Sequence, residues 1–232
     1  MPISTEGMSR NDRIRSDFDE IAHLAESGAS GRDRYDAFLL SLVPATAARV
    51  LDVGCGLGRV TWALATGRRE VEAVDLSPAM IDRARLAGTS DRVSFRTGDF
   101  LDLDFANLPF DCILSVAALH HMDQHAALMR MVGLLSPGGR LIIHDLRRST
   151  GWRDSAQGCV ALADTVFHRF MRTGRLRPRR ALREVWARHG AAESYLSRPE
   201  VQQLASRLLP GADVINHWLW RYTIVWDKPL TA

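Results

Sequence analysis

Short apolar runs alternate with longer amphipathic segments along the middle of the chain. The runs lack a polar face, as is typical of strands that are buried on both sides of a parallel sheet. Five such strands are predicted, over residues 49–53, 71–75, 92–97, 111–116 and 140–145. Helices are predicted between them, over residues 58–66, 78–86 and 124–134. Strands that alternate with helices predict an α/β protein with a doubly wound sheet.

The pattern changes towards both ends of the chain. Two amphipathic helices are predicted before the first strand, one from Asn11 and one over residues 33–43. After the fifth strand we expect a helical insertion over residues 147–197, with helices around residues 160–170 and 181–186. The chain then ends in a predicted hairpin. Its second half carries an aromatic stripe that is typical of a core-facing strand, at Trp218, Trp220, Tyr222, Ile224 and Trp226.

The segment VLDVGCGLG, residues 50–58, joins the first strand to the helix that follows it. Its glycines, Gly54, Gly56 and Gly58, let the backbone turn sharply and approach a ligand at the helix N-terminus. A dinucleotide fingerprint requires G-x-G-x-x-G, and Arg59 stands where that pattern needs its third glycine. The spacing therefore argues against a pyrophosphate ligand.

Two carboxylates narrow the choice of ligand. Asp52 lies at the entrance to the glycine loop, where it would repel a pyrophosphate but suit an ammonium group. Asp75 ends the second strand, about 20 residues further on, at the distance where an acid meets ribose hydroxyls. A ligand with a ribose and an amino-acid end, but without a phosphate, fits both acids. S-adenosylmethionine (SAM) is such a ligand.

Ordered motifs over roughly residues 49–146 resemble the class I SAM-dependent methyltransferases. They read VLDVGCGLG, AVDLSPAMID, GDF, FDCILSVAALHHM and LLSPGGRLIIHDL. Within that family the chain is most similar to the small-molecule branch that includes ubiquinone-biosynthesis-type and sugar O-methyltransferases. The ending WRYTIVWDKP resembles the seventh, antiparallel strand of this branch. The resemblance implies a Rossmann-like, seven-stranded sheet of order 3-2-1-4-5-7-6.

The resemblance also implies how the motifs would hold SAM and its product S-adenosylhomocysteine. The amino-acid end would meet the glycine loop, at Asp52, Gly54, Cys55 and Gly56. Asp75 would bind the ribose hydroxyls. The adenine and the methionyl part would meet residues of the later loops and of the helix after the second strand, at Leu76, Met80, Asp99, Phe100 and Val116.

The loop after the fourth strand reads SVAALHHM, residues 115–122. It differs from the N/D-P-P-Y type that methylates amino groups of nucleobases or glutamine. Its pair His120-His121, together with Asp145 after the fifth strand, resembles the histidine pair and aspartate of sugar O-methyltransferases. A hydroxyl acceptor needs a base, and histidine titrates near the working pH. The alternative is that one histidine only caps the next helix.

The charge of the chain supports a competing interpretation. The net charge is +3 with a sequence pI of about 9.0, and Lys228 is the sole lysine. Arginines are frequent in the predicted insertion. They could contact an RNA acceptor or lie on a solvated helix face. They stand at residues 169, 172, 175, 177, 179, 180 and 183. We expect methylation of a small molecule; methylation of RNA or protein, or SAM binding without catalysis, are the alternatives.

Cys55, Cys112 and Cys159 form no C-x-x-C pair, which argues against a disulfide framework or a metal site. No apolar run reaches the ~18 residues of a membrane span, and the N-terminus lacks the apolar core of a signal peptide, so we expect a cytoplasmic location.

By the resemblance, residues 1–48 would form a helical lid on a SAM-binding domain of residues 49–232.

Overall fold

One mixed sheet organises the computed structural model, which describes residues 8–25, 34–105, 109–149, 177, 179–217 and 220–230. Its strands are β1 (Arg49–Val53), β2 (Glu70–Asp75), β3 (Val93–Thr97), β4 (Phe110–Val116), β5 (Leu135–Leu146), β6 (Asp213–Asn216) and β7 (Arg221–Asp227). β1 to β5 pair in parallel, whereas β7 runs antiparallel to both β5 and β6. The sheet order is β3-β2-β1-β4-β5-β7-β6, which confirms the order that the resemblance implied.

The helices of the described residues pack around this sheet. They are α1 (Arg10–Leu24), α2 (Asp36–Leu42), α3 (Arg59–Leu64), α4 (Pro78–Leu86), α5 (Gln124–Leu134), α6 (Arg180–Ala192) and α7 (Arg198–Leu208), with a 3₁₀ turn at Leu119–His121. The bounds of β1, α4 and α5 agree with the prediction residue for residue. α4 begins where its cap predicts, since Ser77 Oγ accepts the Met80 N–H at 3.1 Å.

Successive strand residues face opposite helical layers, which explains why the strands are apolar throughout. In β1, Val50 packs into one buried cluster, with side chains of α2 and α3. Leu51 and Val53 pack into a second cluster, with side chains of α5 and α7. In β4, Leu114 and Ile113 divide between the same two clusters. The sheet is therefore the central layer of an α/β sandwich.

β5 begins earlier than the sequence predicts. The SPGG segment, residues 136–139, predicts a turn before the strand, yet the strand already starts at Leu135. Leu135 pairs with Phe110, and Arg140 pairs with Cys112, so residues 136–139 bulge opposite a single residue of β4. Gly138 has a φ of +76° inside this bulge, a conformation that glycine adopts without strain. The turn residues are thus absorbed into the strand.

The C-terminal hairpin supplies core side chains, as the aromatic stripe predicts. Tyr222, Ile224 and Trp226 of β7 are buried in the cluster that also holds Leu51 of β1. Trp220 precedes β7 and is only half-buried. Trp218 lies outside the described residues.

The predicted insertion is described only in its C-terminal part. α6 confirms the second of the two helices expected there. The first of them, around residues 160–170, lies outside the described residues, as do Cys159 and the arginines at 169, 172 and 175. Within the part of the chain that the structure describes, no helix combines the length and the apolar character that crossing a membrane requires.

α1 packs against both α4 and α6. Ile21 of α1 is buried in a third cluster with Met80 of α4 and Val185 of α6. A polar contact adds to this packing, because the Ser77 hydroxyl donates to Asp19 Oδ1 at 2.5 Å. The helix therefore has a fixed place beside the carboxyl ends of the strands, and its role as a lid stays a prediction.

Candidate functional site

A cavity of about 550 Å³ opens at the carboxyl ends of the parallel strands. Its wall is formed by the loops after β1, β2, β3 and β4 and by the end of β5. α1 contributes Asn11, Ile14 and Phe18, and α6 contributes Trp186 and His189. Doubly wound sheets bind their ligands in this crevice, and the volume lies in the usual range of small-molecule sites.

The glycine loop after β1 is held against its neighbours. The N–H groups of Gly54 and Cys55 donate to the Val74 carbonyl oxygen at 2.8 and 3.0 Å. Gly54 has a φ of +75°, and a Cβ at this position would lie 2.2 Å from the Cβ of Ala118. Glycine therefore allows both the left-handed turn and the close approach of the loop that follows β4.

Asp75 ties the loops after β1 and β2 together. Its Oδ2 accepts the Gly56 N–H at 2.8 Å, and its Oδ1 accepts the Ser77 N–H at 2.9 Å. Burial raises the pKa of this carboxyl, and the two backbone hydrogen bonds oppose the shift. A carboxylate oxygen can accept more than one hydrogen bond. Asp75, which lines the cavity, can therefore bind a pair of ligand hydroxyls as well.

Asp52 lines the cavity although it is only 1% exposed. Its Oδ2 accepts the Thr61 hydroxyl at 2.6 Å. Burial raises the pKa of Asp52 to about 6, the Thr61 hydrogen bond opposes this shift, and the nearby charge of Asp75 adds to it. A cationic group in the cavity would stabilise the ionised carboxylate and lower this pKa. The two acids therefore favour a positively charged ligand.

The loop after β3 forms another part of the cavity wall. Asp99 Oδ1 accepts the Leu101 N–H at 2.9 Å, and Asp99 Oδ2 accepts Asn11 Nδ2 of α1 at 2.5 Å. Phe100 is buried and lines the cavity beside Asp99. Asp99 is thus fixed by hydrogen bonds both to its own loop and to α1.

His120 and Asp145 form a buried pair beside the cavity. The His120 Nδ1 lies 2.6 Å from Asp145 Oδ1, and the backbone N–H of His120 donates to Asp145 Oδ2 at 2.8 Å. A neutral imidazole that donates from Nδ1 leaves Nε2 as its acceptor. The aspartate therefore fixes the orientation of the ring and selects the tautomer whose Nε2 can take a proton.

His121 faces different partners from its neighbour, although the two ring centroids are only 3.8 Å apart. Its Nδ1 lies 3.3 Å from Oε1 of Glu193, and its ring lies 4.9 Å from the ring of His189. Burial lowers the pKa of His121, and the Glu193 carboxylate opposes that shift. The adjacent histidines thus contact two separate sets of side chains, one from β5 and one from α6 and the residue that follows it.

Comparison with known proteins agrees with this geometry. Residues 50–139 match the family model described as a methyltransferase domain. The matched segment contains the glycine loop, Asp75 and the His120-His121 pair, all of which meet at the cavity. This chain carries a SAM-dependent methyltransferase domain of the class I fold.

Two curated relatives of the methyltransferase share the central part of the chain. An uncharacterized methyltransferase of Mycobacterium tuberculosis (strain ATCC 25618 / H37Rv) is 38% identical over 110 residues, which cover 47% of this chain and 56% of that protein. A ubiquinone biosynthesis O-methyltransferase of Xylella fastidiosa (strain M23) is 34% identical over 164 residues, which cover 64% and 66% of the two chains. The methyltransferase thus spans between half and two thirds of these relatives.

A solved structure extends the likeness to nearly the whole chain. The N-methyltransferase NodS from Bradyrhizobium japonicum, in complex with S-adenosyl-L-homocysteine, matches 92% of this chain and 98% of its own with a TM-score of 0.60. The sequence identity is 15%, so this likeness concerns the fold alone.

Most of the predicted cofactor residues of the methyltransferase line the cavity. They are Asp52, Gly54, Cys55, Gly56, Asp75, Leu76, Asp99, Phe100 and Val116. Met80 departs from this prediction, because its side chain is 4% exposed and packs with Ile21 in the cluster between α1 and α4. Met80 is therefore a core residue of the contact between α1 and α4 and does not line the cavity, and its predicted contact with the adenine stays a prediction.

The predicted catalytic residues occupy two layers. His120 and His121 line the cavity. Asp145 is fully buried behind His120 and does not line the cavity. Asp145 can therefore reach a ligand of the cavity only through His120, and the catalytic roles of all three residues stay a prediction.

Sequence reasoning missed the side chains that α1 and α6 bring to the site. Asn11, Trp186, His189 and Tyr195 all line the cavity. His189 and Glu193 are four residues apart, and this spacing places them on one side of a helix end. That spacing was a usable signal, whereas nothing in the sequence around Asn11 or Tyr195 indicates that these side chains approach Asp99 and His120.

Proposed function

We propose that this methyltransferase transfers a methyl group from SAM to a hydroxyl oxygen of a small molecule. The family and the fold support the cofactor, and the relative from Xylella fastidiosa carries the name of an O-methyltransferase. The sulfonium of SAM is already activated, so the enzyme mainly has to align the acceptor oxygen, the methyl carbon and the sulfur. A hydroxyl acceptor additionally has to lose a proton.

In this proposal SAM extends along the loops after β1, β2 and β3. Its amino-acid end pairs with Asp52 and contacts Gly54 to Gly56, while its ribose hydroxyls bind Asp75. The adenine lies between Leu76 and the segment Asp99-Phe100, and Val116 flanks the methionyl part. The charges support this orientation, because the ammonium group would lie near the buried carboxylate of Asp52, whose raised pKa a cation would lower.

The observation that carries the proposed hydroxyl acceptor is the contact of 2.6 Å between His120 Nδ1 and Asp145 Oδ1. With Nδ1 held by a carboxylate, Nε2 of His120 is the basic nitrogen of a ring that lines the cavity. Nε2 of His120 would accept the proton of the acceptor hydroxyl, while SAM would supply the methyl group and its sulfur would keep the electron pair of the broken carbon–sulfur bond. The buried Asp145 stabilises the imidazolium that results.

The test begins with a screen of hydroxylated small molecules for release of S-adenosylhomocysteine. With an acceptor in hand, single-turnover methyl transfer is compared for the wild type, His120→Ala and the control His125→Ala, which removes an exposed histidine of α5. Loss of a general base lowers the rate by about 10²–10⁴-fold, whereas His125→Ala should stay near the wild-type rate. SAM affinity should change less than about twofold in both variants, because neither histidine belongs to the proposed SAM contacts.

Rescue by added imidazole separates a lost base from a damaged fold. Imidazole can occupy the space left in His120→Ala and accept the proton there, so it should restore part of the rate. A near-wild-type rate in His120→Ala, or a rate deficit that imidazole leaves unchanged, would contradict the assignment of His120 as the base.

A further inference from the structure

Three potential metal ligands meet at the wall of the cavity. His121 lies in the 3₁₀ turn after β4, and His189 lies in the last turn of α6. Glu193 is the residue that caps the C-terminus of α6. One ligand atom of each side chain lies within 4.8 Å of those of the other two. Two imidazoles and a carboxylate form the donor set of open, catalytic-type zinc sites.

One ring nitrogen of each histidine in this cluster is buried without a hydrogen bond. Among the described residues, His189 Nε2 and His121 Nδ1 have no hydrogen-bond partner. His189 is only 3% exposed, so water has little access to it. A buried imidazole nitrogen without a partner costs free energy, and a bound cation would satisfy both nitrogens at once.

The one tight distance in the cluster suits a shared metal ion. His121 Nδ1 and Glu193 Oε1 are 3.3 Å apart, yet the pair does not meet hydrogen-bond geometry. Two ligand atoms at ~2.1 Å from a tetrahedral Zn²⁺ lie ~3.4 Å apart. The second oxygen of Glu193 lies 3.4 Å from Arg10 Nη2, which leaves Oε1 for the ion.

Asp17 orients His189 in the way that outer groups orient metal-bound histidines. Its Oδ2 lies 3.2 Å from His189 Nδ1, and its Oδ1 accepts Arg188 Nη2 at 2.8 Å. A carboxylate on one ring nitrogen fixes the tautomer in which the other nitrogen can bind a metal. Phe18 closes the cluster on one side, since its ring packs edge-on against both imidazoles at 5.2 and 5.0 Å.

We propose that His121, His189 and Glu193 bind one divalent cation of the Zn²⁺ type at the cavity wall. Three protein ligands leave a tetrahedral ion one open position. His121 and His189 both line the cavity, so an oxygen of a cavity ligand can occupy that position. The cation site stands independently of the proposed methyl transfer, and only the idea that the acceptor oxygen binds there rests on the proposed function.

The affinity of the untagged chain for Zn²⁺ tests the proposal. The protein is first treated with a chelator to remove metal, and Zn²⁺ binding is then measured by competition with a chromophoric chelator, without SAM or an acceptor. The wild type should bind one equivalent of Zn²⁺. Removal of a group that only orients a metal ligand weakens binding about 10–100-fold, so loss of a ligand in Glu193→Gln or His189→Ala should weaken it at least about 100-fold. The matched controls Glu184→Gln, on the exposed face of α6, and His125→Ala should keep the wild-type affinity.

X-ray absorption at the zinc edge identifies the ligands directly. The expected spectrum has a shell of nitrogen and oxygen neighbours with the signature of two imidazoles, while a sulfur neighbour would indicate a cysteine ligand and overturn the assignment. Circular dichroism establishes that each variant is folded, and Glu193→Gln keeps the shape of the side chain if His189→Ala unfolds. Absence of a one-equivalent site in the wild type, or unchanged affinity in Glu193→Gln, refutes the proposal and leaves the proposed methyl transfer untouched.

Discussion

Replacement of Asp75 by alanine should remove most of the SAM affinity of this methyltransferase. Asp75 ends β2, lines the cavity and already accepts the Gly56 and Ser77 N–H groups through its two oxygens. Its carboxyl group is buried before any ligand arrives, and burial raises its pKa. The free-energy cost of removing this carboxyl group from water therefore arises on folding and not on binding. The ribose hydroxyls then form hydrogen bonds to an acceptor that is already oriented.

The magnitude follows from the two ribose hydrogen bonds. A hydrogen bond to a charged group contributes about 1.5–3 kcal/mol, so the pair contributes about 3–6 kcal/mol. This corresponds to a loss of about 10²–10⁴-fold in affinity. The control Asp82→Ala removes an exposed aspartate from the next helix and should change the dissociation constant less than about twofold.

Isothermal titration with S-adenosylhomocysteine and with its 2′-deoxy analogue measures this effect. Wild-type protein should bind the deoxy analogue about tenfold or more weakly, whereas Asp75→Ala should bind both ligands alike, because the partner of the missing hydroxyl is gone. Such a cycle separates the ribose contact from a general disturbance of the glycine loop. If Asp75→Ala still distinguishes the two ligands as the wild type does, Asp75 does not bind the ribose and the argument fails.

Two further predictions concern the glycine loop. Burial raises the pKa of Asp52 to about 6 in the free protein. Because the carboxylate that pairs with the ammonium is protonated below this pH, SAM affinity should fall up to about tenfold per pH unit below pH 6. Titration calorimetry between pH 5 and 8 should show this slope in the wild type and not in Asp52→Asn. Gly54→Ala should lower the free energy of unfolding by about 2–5 kcal/mol in urea titrations, since it adds left-handed strain to overpacking against Ala118. The control Gly133→Ala, in α5 with open space around it, should stabilise the protein by about 0.5–1 kcal/mol, and equal destabilisation by both substitutions would contradict the steric argument.

Local pattern was sufficient for the elements of the α/β core and for the part of the cavity wall that the parallel strands and their loops form. The strand and helix periods in residues 49–146 predicted β1, α4 and α5 residue for residue, because apolar runs buried on both faces and helix caps are local signals. In parallel sheets the carboxyl ends of strands share one edge, so Asp52, Asp75 and Asp99 could be placed together from the sequence alone. The loop after β4 could be placed at the same edge for the same reason.

Local signals failed where a second element decides the environment of a residue. SPGG has the composition of a turn, yet pairing with β4 absorbs it as a bulge in β5. Met80 follows the acid of β2 at a plausible distance for the adenine, but α1 lies on α4 and takes that side chain into its own contact. Asp145 ends its strand as a catalytic acid would, but the 3₁₀ turn that carries His120 covers it.

The sequence by itself determined the strands and helices of the α/β core, the glycine loop and the acids at the carboxyl edge of the sheet, because each depends on periodicity and on the shared edge of parallel strands. The order of the sheet followed from the resemblance to the class I methyltransferases and was confirmed by the structure. Only the tertiary structure decided what His120 and His121 face. Adjacent residues in a 3₁₀ turn point in different directions, and their partners, Asp145 and the α6 pair His189 and Glu193, lie 25 or more positions away along the chain. The packing of α6 and α1 over the cavity brings those partners in, and no local period encodes such contacts.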